Sequence, residues 1–207
     1  MNCFLEVKNV FLLQKETMLH QSFAEVIKRY APFTEDELAE ADPYFRIVEV
    51  KKNEFFNRAG VINKEVGFVL EGLLRCYHVI NEKEITTEFL PSGAIALDMM
   101  NYVKKMPHTE NIVALKDTLL NVITQEDLAL LYQKNWKWQH LGREMAERNY
   151  LRVENRAFCL QILNARDRYE HFKENEGELL HEVPLQYIAS YLGIAPETFS
   201  RIRSKKN

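Results

Sequence analysis

The sequence predicts an α+β chain: an antiparallel β-roll flanked by helices, then a long helix, then a C-terminal pair of short helices. Three observations carry this reading. β-branched and aromatic residues, punctuated by glycine, dominate from Phe45 to about Ile123. A helical stretch with one glycine and no proline runs from about Asn135 to Leu163. The last stretch, VPLQYIASYLGIAPETFSRIRSK from Val183 to Lys205, reads as two short helices around a glycine turn.

The organised pattern begins just after Met18, an alternative start, so residues 1–18 read as an extension. Residues 19–30 place Phe23, Ile27 and Tyr30 on one helical face. Thr34, followed three residues later by Glu37, is a capping box that opens the next helix. From there YFRIVEVKK, EITTEFL and ENIVAL are strands, and NEKE at 81–84 is a turn. VGFVLEGLLRCYHVI is one long strand or a hairpin broken at Glu71-Gly72. Many short strands with no helices between them make an antiparallel roll or barrel.

At Thr124 the pattern returns to helix, with TQED as a second capping box. In the long helix, Ala146, Tyr150, Val153, Ala157 and Leu160 recur at heptad spacing, with Leu141 and Met145 on a neighbouring face. A helix of about 28 residues spans about 42 Å. One face would lie on the roll and the other on a second copy of the chain. Asn164 caps ARDRYEHFKE, and Gly177 ends it. Pro184 and Pro196 each stand where the first residue of a helix is expected. The division is 1–133 for a sensing roll, 134–163 for a dimerisation helix and 164–207 for the terminal helices.

Composition narrows the function. A hydrophobic content of 46 % allows a core of real size. The net charge of −3 hides an asymmetry: residues 1–133 carry −6 and residues 134–207 carry +3. Only the C-terminal part has the sign to meet nucleic acid. Cys3, Cys76 and Cys159 are scattered and form no CxxC pair, which supports neither a structural zinc site nor a disulfide framework and fits reduced thiols in a cytoplasmic protein. No run of about 18 apolar residues predicts a membrane span. The N-terminus lacks the small-residue cleavage site of a secretory signal. No nucleophile–base motif, metal-ligand spacing or phosphate-cradling loop points to an enzyme.

In the terminal pair, Ile188, Leu192, Ile194, Phe199 and Ile202 form one apolar seam. Ala189 is small where the helices cross, and Gly193 takes φ > 0 in the turn. Glu197, Thr198, Arg201, Arg203 and Lys205 are left to face a partner. A helix so displayed fits the major groove of DNA.

Taken in order, these elements resemble the Crp/Fnr superfamily of bacterial transcription regulators, over residues 19–207. RYEHF at 168–172 and VPLQYIASYLGIAPETFSRIR at 183–203 are most similar to its shorter, Bacteroidetes-type members. The resemblance implies a jelly-roll cyclic-nucleotide-binding-like domain, a homodimer formed through the long helix, and a helix-turn-helix head on a palindromic DNA site. RNA polymerase is a further partner on that view. Base reading is implied at Glu197 and Arg201, the one accepting from cytosine and the other donating to guanine. Thr198, Ser200, Arg203 and Lys205 are implied to touch phosphates. Pro196 stands where many members have an arginine, so a different operator is expected.

The resemblance also implies an effector pocket. Gly93 is the retained turn glycine of PSGAIALDMMNYV, Asp98 falls at the position of the ribose-binding glutamate, and His108 and Thr109 fall where an Arg-Ser pair clamps the cyclic phosphate. Arginine presents a planar fork to two oxygens, whereas histidine offers one donor. Losing that charge-assisted contact costs about 1.5–3 kcal/mol, which disfavours a cyclic nucleotide and leaves an unidentified small effector open. The alternative to a DNA-binding regulator is a small-ligand sensor that acts through protein contacts, with a weak or non-specific DNA-binding head.

Overall fold

The computed structural model describes residues 23–204. The extension at 1–18, Cys3 and Lys205 lie outside the described residues. A helical segment at 23–28 (α1) and α2 (Glu35–Ala41) precede the roll. The capping box at the start of α2 forms as the sequence demands: the Thr34 hydroxyl accepts from the Glu37 N–H, and the Glu37 carboxylate accepts from the Thr34 N–H.

Among the described residues, eight strands build two four-stranded antiparallel sheets. In chain order they are β1 (Phe45–Val50), β2 (Phe55–Asn57), β3 (Glu65–Glu71), β4 (Leu73–Ile80), β5 (Lys83–Pro91), β6 (Ile95–Ala96), β7 (Asn111–Ala114) and β8 (Thr118–Thr124). The first sheet runs β1-β8-β3-β6 and the second β2-β7-β4-β5. The short helix α3 (Met99–Lys104) lies between β6 and β7.

The break at Glu71-Gly72 is neither a continuous strand nor a hairpin. β3 and β4 belong to different sheets, and the chain crosses between them at Gly72. Gly72 has φ +114, and a Cβ there would sit 2.6 Å from the Thr118 Cα. Both the dihedral and the close approach therefore require glycine. The true hairpin is β4–β5, closed by Asn81 and Glu82 at φ 50 and 63, the two positive values of a type I′ turn.

Side-chain alternation on β3 sorts two cores. Val69 faces the roll interior with Leu74, Cys76, Leu90, Ile112 and Leu120. Val66 and Phe68 face outward against α1, α2 and the helices after β8. There the rings of Phe23, Phe45, Phe68, Phe33 and Trp138 interlock at 4.7–6.2 Å between centroids. Such pairs add about 0.5–1.5 kcal/mol each beyond their area.

α4 (Gln125–Lys134) begins at the Thr124 cap, where half of the expected box forms. The hydroxyl accepts from the Asp127 N–H and donates to the Asp127 carboxylate at 2.7 Å. Then α5 (Trp136–Ile162) runs unbroken for 27 residues, about 40 Å. Trp138, Leu141 and Met145 bury its first half. The chain continues as α6 (Ala165–Glu176), α7 (Leu179–Glu182), α8 (Leu185–Tyr191) and α9 (Pro196–Ser204). Asn164 caps α6 as expected, its side chain accepting from Arg166 and Asp167 N–H. Pro184 is the cap residue of α8 rather than its first helical residue, whereas Pro196 does open α9.

The terminal helices share a third core with the roll. Leu73 and Phe89, on β4 and β5, pack with Tyr169, Phe172, Leu179, Ile188, Ala189, Leu192 and Phe199.

Candidate functional site

The terminal helix pair is locked by a Schellman turn. The Ile194 N–H reaches back to the Ala189 carbonyl at 2.9 Å and the Gly193 N–H to Ser190 at 3.1 Å, with Gly193 at φ +62. Ile188, Ala189, Leu192, Ile194 and Phe199 are buried, and Ile202 packs beside them. The seam read from the sequence is the seam of the structure.

The RYEHF segment explains why the pair is rigid. Arg168 donates from Nε to the Leu192 carbonyl at 2.7 Å, and from its two terminal nitrogens to Leu163 at 2.7 Å and Gly193 at 3.2 Å. One guanidinium thus closes the end of α5 and the turn between α8 and α9. Tyr169 meets Phe199 edge-on at 5.5 Å, and Phe172 meets Tyr191 at 5.8 Å. The sequence pattern placed this motif without revealing that Arg168 is a staple.

On the outer side of α9, Glu197, Ser200, Arg201 and Arg203 are exposed and Thr198 is half-buried. Arg201 makes a long 3.4 Å bond to the Thr198 hydroxyl. Among the described residues, Glu197, Arg201 and Arg203 have no ion-pair partner. These charges are held on a short, well-packed rod and left unspent.

The roll interior is the opposite. Asp98 is the N-cap of α3: one carboxylate oxygen accepts from Met100 and Asn101 N–H at 3.0 and 3.1 Å. The other accepts from His108 Nδ1 at 3.0 Å and Thr109 N–H at 3.3 Å. Burial pushes the Asp98 carboxyl up, but the Asn101, His108 and Thr109 bonds outweigh it and hold the group below the ordinary aspartate range. Three of the four expected pocket residues therefore meet, but they satisfy one another. Gly93 stands apart, exposed in the β5–β6 turn at φ +87.

Beside this cluster, Glu110 bonds the Thr87 hydroxyl and lies 3.7 Å from His78. Burial raises its carboxyl above the usual value, against the Thr87 bond and His78. His78, half-exposed, bonds the Thr109 carbonyl through Nδ1 at 2.7 Å. Cys76 is buried, and desolvation lifts its thiol well above the ordinary range. No group of three His, Cys, Asp or Glu able to hold a metal occurs among the described residues. No helix there is long and apolar enough to cross a membrane.

On α5, Ala146, Tyr150, Val153 and Ala157 are exposed, and Leu160 is half-buried toward Gly193. The open apolar surface is wider than the heptad seam. Leu151, Phe158 and Ile162, each 55–65 % exposed, extend it around the helix. They sit on the row beside the heptad positions, outside their alternating spacing of three and four.

Arg152 pairs with Glu88 across to β5. Arg156 donates to the Thr86 and Tyr191 carbonyls at 3.2 and 3.1 Å. Ser190 on α8 accepts from the Thr86 N–H at 3.0 Å and donates to the Glu84 carbonyl at 3.2 Å. Arg75, 2 % exposed, lies between the Tyr77 and Tyr187 rings. The helix pair is therefore docked on the second sheet by specific polar contacts, none of which the sequence announces.

Residues 47–135 match the cyclic nucleotide-binding domain family. No curated protein matches the chain. Three of the solved structures that share its fold illustrate the likeness. FixK2 from Bradyrhizobium japonicum superposes with a TM-score of 0.67 at 18 % identity, over 78 % of this chain and 83 % of its own. The regulator CLP from Xanthomonas campestris, described as responsive to c-di-GMP, gives 0.65 at 17 % identity over 83 % and 91 %. The catabolite activator protein of Thermus thermophilus gives 0.54 at 19 % identity over 85 % and 84 %. At these identities the likeness establishes the architecture: an α+β chain with a cyclic-nucleotide-binding-like jelly roll and C-terminal helices.

Proposed function

We propose that this protein is a homodimeric, sequence-specific DNA-binding transcription regulator of the Crp/Fnr type. Residues 1–133 form its sensing part, 134–163 its dimerisation helix and 164–207 its helix-turn-helix head. The observation that carries the reading is the outer face of α9, where Glu197, Ser200, Arg201 and Arg203 are exposed on a helix pinned by Arg168 and Phe199. Rigid presentation lowers the ordering cost of binding. Arg201 would fork onto guanine, and Arg203 would meet phosphate.

The exposed apolar face of α5 supports self-association. A two-fold pairing there would bury Tyr150, Val153 and Phe158 against their copies. It would also set two α9 helices against successive major grooves, about 34 Å apart. The chemistry of the roll disfavours a cyclic nucleotide. Both oxygens of Asp98 are already taken by four donors, and His108 stands where the phosphate fork would be needed.

Fluorescence anisotropy with duplexes from the region upstream of the protein's own coding sequence tests the reading. The wild type should bind one such duplex at least about 1000-fold more tightly than random DNA. Equal affinity for both would sink it. Light scattering of a Tyr150→Glu/Phe158→Glu variant should give half the wild-type mass, because two charges would be buried without partners.

A further inference from the structure

Outside the roll, a groove of about 320 Å³ opens between α1, β3, the β5–β6 turn and the middle of α5. Its floor is apolar. Phe23 and Phe68 meet edge to face at 5.0 Å, with Val26 and Leu70 beside them. Its rim is cationic: Arg29 follows α1, and Arg148 projects from α5. Gly93 lines it too, and a Cβ there would meet nothing within 4 Å, so the turn leaves the space open.

Several other arginines of this chain are neutralised or consumed. Arg46, Arg75, Arg143 and Arg152 each pair with a glutamate, and Arg168 is consumed by carbonyls. Among the described residues, Arg148 stacks on Tyr30 at 4.5 Å and donates once, to the Tyr30 hydroxyl at 3.2 Å. That uses one of five N–H donors. Among the described residues, neither Arg29 nor Arg148 has a carboxylate partner. Two cations lining one groove give it a positive potential that favours an anion there.

We propose that this groove binds an amphipathic carboxylate. The carboxylate sits between the Arg29 and Arg148 guanidiniums, which match its two oxygens. The apolar body lies over Phe23 and Phe68. The volume corresponds to about ten waters at ~30 Å³ each, so a ligand with a chain of about eight carbons fits. The site is distinct from the Asp98 cluster, which faces the other side of the first sheet.

Calorimetric titration of the full chain with submillimolar sodium octanoate, and with octanol as the uncharged control, tests this. Octanoate should bind saturably at one per chain, and octanol much more weakly. Arg29→Gln and Arg148→Gln should each weaken octanoate about tenfold or more. Val26→Trp, which fills the trough and leaves both charges, should abolish binding. Octanol binding as tightly as octanoate would overturn the proposal, as would arginine variants that match the wild type. Should Val26→Trp fail to fold, the two surface arginine variants still decide. DNA takes no part in this titration, so its result is independent of the reading of α9.

Discussion

Asp98 and Arg201 sit in ionic surroundings of opposite kinds. Asp98 is buried and accepts from four donors, all supplied by its own chain. Arg201 is exposed and makes one long bond. The Asp98 network is closed: every member is satisfied internally except His108 Nε2, which is buried without a partner. The α9 face is open. A closed network fixes a structure and has little left for a partner, whereas an open one on a rigid support costs little to display and keeps its full capacity for binding. The sequence marks both Asp98 and Arg201 as contact residues, and their surroundings separate them.

The comparison can be broken at its closed end first. Asp98→Ala leaves His108 and three N–H groups without their acceptor, at a cost of about 3–5 kcal/mol. Thermal unfolding should fall by about 10 °C or more, while DNA affinity of the remaining folded protein stays unchanged. At the open end the pattern should invert. Arg201→Ala should weaken binding to the best duplex about 10- to 100-fold and move stability by less than about 0.5 kcal/mol. Arg203→Ala sharpens the contrast within α9. It should weaken all duplexes alike and reduce the slope of log K against log salt by about 1. Arg201→Ala should instead relax discrimination at one base pair.

The smallest effect concerns pH. The Lys137 bond, then the Thr34 N–H, lower the Glu37 carboxyl from 4.5 to about 2. Its folded-state value is depressed, so its contribution is complete above pH 4.5 and is lost as pH falls toward 2. Glu37→Gln should therefore lower stability near pH 7 and make the acid limb of the stability curve shallower between those values. A limb of unchanged slope would show that the bond is not maintained in solution.

Local signals carried much of this molecule in the sequence. Thr34, Asn164 and Gly193 act through partners within five residues, so their roles are written in short windows. The long helix was legible because nothing interrupts its period. What escaped was non-local. A glycine between two apolar runs is the same signal for a hairpin and for a crossing between sheets, and only the approach of Thr118 to Gly72 decides. Strands β2 and β6 span three and two residues, too few for a period to emerge. The Asp98–His108 pair spans ten residues across a loop, so the sequence placed both residues near one another but could not tell that they spend their donors and acceptors on each other. The docking of Ser190 on Thr86 joins positions 104 apart.

That last contact bears on how the chain avoids sticking to its neighbours. β5 is the outermost strand of the second sheet, with one flank of backbone groups unmatched by any strand. Such an edge is a template for intermolecular strand addition. α8 lies along it, and the Ser190 hydroxyl stands in for a missing strand by serving the Thr86 N–H and the Glu84 carbonyl together. A roll expressed without its terminal helices should therefore be prone to aggregate through β5, and a charged or proline-bearing edge would have to be engineered in place of the helix that now shields it.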